Sequence, residues 1–248
     1  MVRPILKALV PKSFHQMLLR WWVHPSPRRI IWGNLRRVTP VSRVFGADRG
    51  QPIDRYYIEF FLEKYCEDIQ GCVLEIGDPS YTTQFGGDCV SSSDVLHAQA
   101  GNELATLVGD LATGEGIPEN RFDCMILTQT FPFIYEMREA IRNSYKALRP
   151  GGVLLVTLPG ISQISRYDMD RWGDYWRFTS ASCDRLFGDV FGENNVDVAT
   201  HGNVLTACAF LHGLATHELK KEEMDHVDPD YQMLITIRAQ KHGKPVRD

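Results

Sequence analysis

Short apolar runs alternate along the chain with stretches in which apolar residues recur every three or four positions, the spacing of one helix face. The runs predict strands over residues 72–76, 89–94, 105–109, 122–128, 153–159, 195–200 and 232–240. The periodic stretches predict helices over residues 53–66, 134–148, 180–190 and 203–217. Strands that are apolar throughout are typical of a parallel sheet with both faces covered. The pattern therefore predicts an α/β protein.

Glycine and proline mark the ends of these elements. The first strand is followed by Gly77-Asp78-Pro79, which turns the chain away from the sheet. The helix over residues 134–148 is closed by Arg149-Pro150-Gly151-Gly152, because proline and paired glycines do not continue a helix. We expect the last strand to insert antiparallel at the sheet edge. The predicted fold class is α/β and Rossmann-like, a doubly wound, mostly parallel seven-stranded sheet with an antiparallel edge strand.

Basic residues are concentrated at the start of the chain. Residues 1–47 contain nine Lys and Arg and no Asp or Glu, whereas the rest of the chain carries 18 basic and 31 acidic side chains. Helical spacing relates five apolar residues of this segment: Phe14, Met17, Leu18, Trp21 and Trp22. The sequence therefore predicts a basic N-terminal helical arm over residues 1–50 and an α/β domain over residues 51–248.

The arm has two competing interpretations. Residues 1–47 can make a peripheral contact with an anionic membrane or a lipid-linked substrate, or they can pack their tryptophans on the acidic domain as a lid. A cleaved signal peptide is not expected, because the segment has no unbroken apolar core. A nucleic-acid partner is not expected either, since the basic residues are dispersed and no recognised nucleic-acid motif accompanies them.

Cysteine spacing limits the other classes of protein. The six cysteines form no C-x-x-C pair, and no Cys or His residues stand at zinc-finger spacing. This pattern argues against a disulfide scaffold and against a metal site, and it predicts reduced thiols in a cytoplasmic protein. No run approaches the ~18 uncharged apolar residues that a membrane-spanning helix needs.

Acidic residues follow or end three of the predicted strands. In an open parallel sheet, ligands bind beyond the carboxyl ends of the strands, where the strand order reverses. Glu75 lies in an otherwise apolar strand, where a carboxylate needs hydrogen-bond donors. Asp94 can accept hydrogen bonds from paired ribose hydroxyls, and Asp110 beside Leu111 can meet an adenine amino group. These positions predict a pocket for a nucleoside-bearing cofactor, although Asp94 and Asp110 would equally serve as loop caps.

Four segments occur in the order and spacing of a known family: VLEIGD at 73–78, GDL at 109–111, FDCMILTQT at 122–130 and LRPGGVLLVTLPG at 148–160. They resemble class I S-adenosylmethionine-dependent methyltransferases, and the resemblance covers residues 53–240. It implies S-adenosylmethionine as the cofactor. It also implies that the first loop holds the methionine moiety, the acidic residue after strand two the ribose, and the third-strand Asp the adenine. The cofactor-binding residues expected on this basis are Glu75, Gly77, Asp78, Asp94, Asp110, Leu111 and Thr128.

The first loop departs from the family pattern. The family has G-x-G-x-G there, with small residues that let the backbone approach the cofactor, whereas this chain keeps only Gly77 before Asp78, Pro79, Ser80 and Tyr81. Either the loop bends through Pro79 and leaves the cofactor site open, or the fold has lost cofactor binding. The second case would make the chain a non-catalytic binding or scaffold subunit of a glycosyltransferase or a membrane-associated assembly.

The segment RWGDYWRFTS at 171–180 resembles an element of methyltransferases that are encoded beside glycosyltransferases in polysaccharide and glycosylated natural-product pathways. Tyr175 and Trp176 offer flat faces on which a sugar ring can stack, and Arg177 can hydrogen-bond hydroxyls or a phosphate. A structural cover over the sheet is the competing interpretation. Three side chains could take the proton of a substrate hydroxyl: Asp174, Asp170 and His201.

The expected activity is O-methylation of a sugar or a glycosylated small molecule, without a metal. Catalysis would come mainly from alignment in a pocket closed against water. The apolar run over residues 204–215 suits a helix buried on the sheet, and a homodimer seam is the alternative.

Overall fold

The computed structural model describes residues 33–243. The predicted arm helix and most of the basic segment lie outside these residues. The chain divides into two compact units, one ending at Thr39 and the other starting at Pro40. In the first unit, the described residues include a 3-10 turn over Gly33–Leu35. The second unit holds the sheet and both cavities described below, and the domain boundary predicted at residue 51 falls inside it.

Seven strands form one sheet, in the spatial order β3-β2-β1-β4-β5-β7-β6. Their bounds are β1 Gly71–Ile76, β2 Val90–His97, β3 Leu107–Val108, β4 Phe122–Thr128, β5 Leu148–Pro159, β6 Val196–His201 and β7 Leu234–Gln240. Neighbours from β3 to β5 pair in parallel. Strand β7 runs antiparallel between β5 and the edge strand β6. The predicted fold class is therefore confirmed, a mostly parallel seven-stranded α/β sheet. The last strand is antiparallel as expected, but it lies one position inside the edge, because β6 pairs with its outer side.

Six helices accompany the sheet in the described part of the chain. They are α1 Ile53–Lys64, α2 Met137–Ala147, α3 Arg166–Met169, α4 Ser180–Phe191, α5 Val204–His212 and α6 Lys221–Asp225. Between β1 and β4 the connections contain only turns and short 3-10 or π segments, and no helix was predicted there. These open connections leave room beside the carboxyl ends of the central strands.

The two faces of the sheet carry separate apolar clusters. Residues pointing to one side, such as Leu74 and Met125, pack with α2 and α4. Their neighbours Val73 and Cys124 point to the other side and pack with α1 and α5. This alternation follows from the period of two along a strand. Burial on both faces holds the strands rigidly, so that the loops at their carboxyl ends are fixed in position.

Several element bounds differ from the prediction for identifiable reasons. Strand β2 continues to His97, three residues beyond the predicted end, because Leu96 and His97 pair with β3. Strand β5 already begins at Leu148, which pairs with Phe122 across a register shift. Helix α5 stops at His212 because Gly213 follows it in the left-handed conformation, with φ 69°.

Three further observations concern membrane-spanning helices, metal sites and cysteines. In residues 33–243 no helix is long and apolar enough to cross a membrane. No group of His, Cys, Asp or Glu side chains in the same residues could hold a metal ion. All six cysteines are free thiols.

Candidate functional site

A cavity of about 750 Å³ opens at the carboxyl ends of the central strands, and we call it the first cavity. Strands β1 and β4 are neighbours there, and the chain leads from β1 to one side of the sheet and from β4 to the other. This reversal is where α/β proteins bind their ligands. The loops that line it follow four strands and contribute Gly77 and Asp78, Ala98 and Gln99, Asp110 and Leu111, and Thr128 and Gln129.

Gly77 keeps the loop after β1 open. Its φ of 84° suits glycine, and a Cβ placed there would meet no atom within 4 Å. The backbone of Gly77 is held on both sides, since its N–H donates to Leu96 O and its carbonyl accepts from Asn102 Nδ2 at 2.7 Å. The chain then turns at Asp78, whose Oδ1 accepts from the Ser80 amide at 2.9 Å. The loop therefore bends without further glycines and does not fill the cavity.

Tyr81 points away from the first cavity. Arg55 Nη1 donates to the Tyr81 hydroxyl at 2.6 Å, and the ring packs against Phe85. The tyrosine that replaces a family glycine is thus accommodated beside α1. It does not block the space at the ends of the strands.

Glu75, expected to contact the cofactor, instead holds the segment after β1. It is 4% exposed and lies outside the residues that line the cavity. One oxygen accepts from the Tyr81 amide at 3.1 Å, and the other accepts from the amide and hydroxyl of Thr82, each at 2.7 Å. Burial raises the pKa of this carboxyl, while the hydrogen bonds from Thr82 and Tyr81 act in the opposite direction. Its structural role satisfies the need for donors that the sequence indicated.

Asp94, expected to bind the ribose, also lies outside the cavity. Because β2 extends to His97, Asp94 lies within the strand and is 8% exposed. Its oxygens accept from Thr106 Oγ1 at 2.8 Å and from Arg121 Nη2 at 2.6 Å. The carboxylate therefore ties β2 to the segments before β3 and β4. At the end of β2, the side chains that line the cavity include Gln99 and Asn102, which the sequence did not single out.

The remaining expected cofactor residues line the first cavity: Gly77, Asp78, Asp110, Leu111 and Thr128. Asp110 uses Oδ1 to accept from the Ala112 amide at 2.8 Å, which fixes the turn after β3. Leu111 is buried beside it. Thr128 is the last residue of β4.

A second cavity, of about 500 Å³, adjoins the first. The two share Thr128, Gln129, Phe133 and Asp168. The second cavity is lined in addition by residues of the α1 start and of the loop after β5, including Asp54, Arg55, Asp174 and Arg177. A cofactor in one cavity and a second molecule in the other would therefore meet at the end of β4.

Gln129 is a site residue that the sequence analysis missed. It follows β4 with φ 49°, a left-handed conformation that is uncommon for a residue other than glycine. Its amide donates to the Thr157 carbonyl at 2.9 Å, which holds this conformation. Strained residues of this kind concentrate at functional sites. The only signal in the sequence was its position directly after a predicted strand.

The three side chains that were expected to accept a proton are engaged in other contacts or lie outside both cavities. Asp174 accepts from Arg177 and from the Ser165 amide, so both of its oxygens already have protein partners. Asp170 pairs with Arg166 on the surface and lines neither cavity. His201 lies on β6 against Tyr57 and Phe60, outside both cavities.

Asp168 is better placed than these three, because it lines both cavities. Its Oδ2 accepts from the Ser165 hydroxyl, which positions the carboxylate. The sequence analysis selected its neighbour Asp170. Nothing in the residue pattern distinguishes the two carboxylates, since the difference lies in which side of the single turn α3 faces the cavities.

The three residues that were expected to bind a sugar also lie in different environments. Tyr175 lines the first cavity and is 50% exposed. Trp176 packs against the core instead, and its Nε1 donates to Ile134 O at 3.1 Å. Arg177 donates to Asp174 and to the carbonyl of Gln163, so its guanidinium is committed to the loop. The segment acts in large part as the structural cover that was the alternative interpretation.

The first cavity fits an S-adenosyl group by the chemistry of its lining. The open position beside Gly77 admits a close backbone approach. Leu96 and Leu111 give an apolar surface, while Asp110 offers a carboxylate oxygen. Four carboxylates line this cavity, those of Asp78, Asp110, Glu136 and Asp168, which suits a ligand that carries a sulfonium and an ammonium charge.

Known proteins that are similar to this chain include methyltransferases. Residues 87–156 match the family model described as a methyltransferase domain. No curated protein matches the chain. Among solved structures, the chain is similar to a SAM-dependent methyltransferase from Archaeoglobus fulgidus, with 11% identity, 75% of this chain and 94% of that chain covered, and a TM-score of 0.49. It is also similar to the N-methyltransferase NodS from Bradyrhizobium japonicum in complex with S-adenosyl-l-homocysteine, with 13% identity, 81% and 96% covered, and a TM-score of 0.49.

The matched segment runs from the turn before β2 into β5 and contains the motifs at 109–111 and 122–130. It confirms the resemblance to S-adenosylmethionine-dependent methyltransferases, and with it S-adenosylmethionine as the cofactor. The acceptor molecule is a separate question, which the geometry of the second cavity addresses.

Proposed function

We propose that this protein is an S-adenosylmethionine-dependent methyltransferase that methylates a hydroxyl group of a sugar or a glycosylated small molecule. The observation that carries the proposal is the first cavity, which lies at the reversal of strand order and is open at Gly77. The bound cofactor would supply an electrophilic methyl group there. The non-catalytic alternative required a first loop that closes the cofactor site, and the conformation of Gly77 and Tyr81 argues against it.

Different residues of the first cavity would contact different parts of the cofactor. Gly77 and Asp78 would face the methionine end, as the family resemblance implies. Asp110 and Leu111 would hold the adenine. Gln99 lines the cavity after β2, where the expected Asp94 does not, and its side-chain amide can hydrogen-bond the ribose hydroxyls.

The chain's own contribution to the reaction would be placement and exclusion of water. Gln129 and Asp168 lie at the junction of the two cavities, so that an acceptor hydroxyl held there has a carboxylate beside it. Asp168 would take the proton of that hydroxyl. The exposed rings of Tyr135, Tyr167 and Tyr175 lie around the first cavity and would cover it. Positioning of this kind supplies much of the acceleration in group transfer.

The polar lining of the second cavity supports a hydroxylated acceptor. Carboxylates, guanidinium groups and the amides of Gln129 and Gln163 surround it, next to the apolar Phe45 and Phe210. Alternating polar and apolar surface of this kind matches the hydroxyl groups and the flat faces of a sugar.

The direct experiment is calorimetric titration of the purified protein with S-adenosylmethionine and S-adenosylhomocysteine. Ala98 and Ala100 form a matched pair, because both are exposed but only Ala98 lines the first cavity. We expect the wild type and Ala100→Trp to bind, and Ala98→Trp to lose at least tenfold in affinity. No binding by the wild type, or equal binding by both variants, would refute a cofactor site in this cavity.

The substrate class is tested by transfer of a labelled methyl group to monosaccharides and nucleotide sugars, followed by mass spectrometry. We expect a methyl ether as the product. Asp168→Asn should slow the transfer at least 100-fold with unchanged cofactor affinity, because general-base catalysis contributes factors of about 10² to 10⁴. A product methylated on nitrogen or carbon would replace the hydroxyl assignment.

A further inference from the structure

Asp54 is a buried carboxyl group with an unpaired oxygen. It is the second residue of α1 and is 8% exposed. Its Oδ1 is one of two buried side-chain atoms that have no hydrogen-bond partner among the described residues, the other being Nδ1 of His212. Buried polar atoms are almost always paired in folded proteins, so an exception calls for an explanation. Asp54 differs from His212 in that it lines the second cavity.

The two guanidinium groups that line the second cavity already have partners. Arg55 donates to the Tyr81 hydroxyl. Arg177 is paired with Asp174. The second cavity is therefore lined by a carboxyl group whose Oδ1 has no partner at hydrogen-bond geometry within residues 33–243. A molecule that enters the cavity meets this carboxyl group and can donate to it.

We infer that the second cavity binds a small polyhydroxylated molecule and that Asp54 is the specificity-determining residue that hydrogen-bonds one of its hydroxyl groups. The identification of this molecule as the methyl acceptor rests on the proposed function, whereas the binding itself does not. Held at Asp54, the molecule would reach the shared end of the cavity at Gln129 and Asp168 with a different hydroxyl. Asp54 would in this way select which hydroxyl reacts.

A hydroxyl suits this position better than an ammonium group. The second cavity places Arg55 and Arg177 close to its three carboxylates, so it has no large excess of negative charge to attract a cation. Burial raises the pKa of Asp54, with Arg55 and backbone hydrogen bonds acting in the opposite direction. A hydroxyl can donate to the Asp54 carboxyl group and also accept from the guanidinium groups, whereas an ammonium group only donates.

The test is saturation-transfer NMR on the full chain with S-adenosylhomocysteine present. The probes are methyl α-D-glucopyranoside, methyl α-D-mannopyranoside, methyl α-D-galactopyranoside and L-rhamnose, and benzylamine serves as the cationic probe. The variants are Asp54→Leu and, as a control, Glu63→Leu, which removes an exposed carboxylate of the same helix outside both cavities. Calorimetry with S-adenosylhomocysteine runs in parallel.

We expect at least one sugar probe to bind the wild type and Glu63→Leu, and Asp54→Leu to bind it at least tenfold more weakly with unchanged S-adenosylhomocysteine affinity. We also expect Asp54→Leu to melt at or above the wild-type temperature, because it removes an unpaired buried acceptor. A purely structural role for the carboxyl would lower that temperature. If Asp54→Leu does not fold, this contradicts the inference unless Asp54→Asn folds and loses sugar affinity.

Three other outcomes overturn the inference. One is that no sugar binds the wild type while S-adenosylhomocysteine does, which leaves the proposed function standing. Another is that Asp54→Leu binds sugars as the wild type does. The third is that benzylamine binds instead of the sugars and depends on Asp54. Failure of the proposed function has a different signature, because S-adenosylhomocysteine would then not bind at all.

Discussion

Arg177 donates hydrogen bonds to both carboxylate oxygens of Asp174, with Nη1 2.6 Å from Oδ1 and Nη2 2.9 Å from Oδ2. The Asp174 side chain is 1% exposed and also accepts from the Ser165 amide. A two-pronged contact of this kind is stronger and more directional than a single hydrogen bond. It closes the loop between β5 and α4 and forms part of the wall of the second cavity.

Removal of the guanidinium should therefore destabilise the protein rather than alter the chemistry. Arg177→Met leaves the Asp174 carboxylate buried without its cation, and we expect a loss of about 3 kcal/mol in the free energy of unfolding. Arg166→Met is the control, because the Arg166–Asp170 pair is largely exposed and should contribute less than about 1 kcal/mol. Urea unfolding measures both. Equal losses would contradict the structural role of Asp174.

Substitutions of Asp94 and of Asp110 should have different effects on stability and on cofactor affinity. Asp94→Asn weakens the link to Arg121 and Thr106, so it should lower stability by about 1 kcal/mol and leave the affinity for S-adenosylhomocysteine within twofold. Asp110→Asn keeps Oδ1 as the acceptor for the Ala112 amide, but replaces the other oxygen by a donor. It should lower the affinity about tenfold, because a mismatched polar group costs about 1 kcal/mol or more. Calorimetry and urea unfolding of both variants distinguish the roles, and a reversed pattern would restore Asp94 as the ribose ligand.

His201 should make the stability depend on pH. Burial, with a smaller contribution from Lys64, lowers the pKa of this side chain from 6.5 to about 4. Between these pH values the unfolded chain binds a proton that the folded protein does not. The contribution of His201 to the free energy of unfolding is therefore fully present above pH 6.5 and is lost as the pH falls towards 4. The expected loss from this group at pH 4.5 is about 2 kcal/mol.

The variant His201→Phe isolates this contribution. It keeps an aromatic ring against Tyr57 but cannot take up a proton. The difference in unfolding free energy between pH 7 and pH 4.5, measured with urea, should be smaller in the variant than in the wild type. An identical pH dependence would mean that His201 titrates normally.

Thiol reactivity should follow burial. Cys89 and Cys208 are exposed. Burial raises the pKa of Cys183 to about 12 and also raises that of Cys124, which leaves almost no thiolate at neutral pH. Brief treatment with iodoacetamide at pH 7.5, followed by peptide mass spectrometry, should label the exposed pair and spare the buried pair until urea is added. Early labelling of Cys183 would contradict the packing of α4.

The order of strands and helices could be predicted from the sequence because buried elements leave a clear pattern of apolar residues. FDCMILT at 122–128 is β4 at the predicted bounds, since an apolar run of that length between polar turns has few other placements. Asp110 and Leu111 were found through a motif and a strand end that both lie on the cavity. Asp94 lies within β2 and outside the cavity, because pairing of Leu96 and His97 with β3 extends the strand, and strand pairing is not visible in the residue pattern.

The sequence by itself determined the α/β alternation and the methyltransferase resemblance, because these depend on local apolar runs and on short motifs. The tertiary structure decided the strand order and which carboxylates face a cavity. Asp94 is paired with Arg121 outside both cavities, whereas Asp54 and Asp168 line the second cavity. A carboxylate has the same local signature in both situations, and only the packing of distant segments determines whether its oxygens meet a protein donor or a ligand.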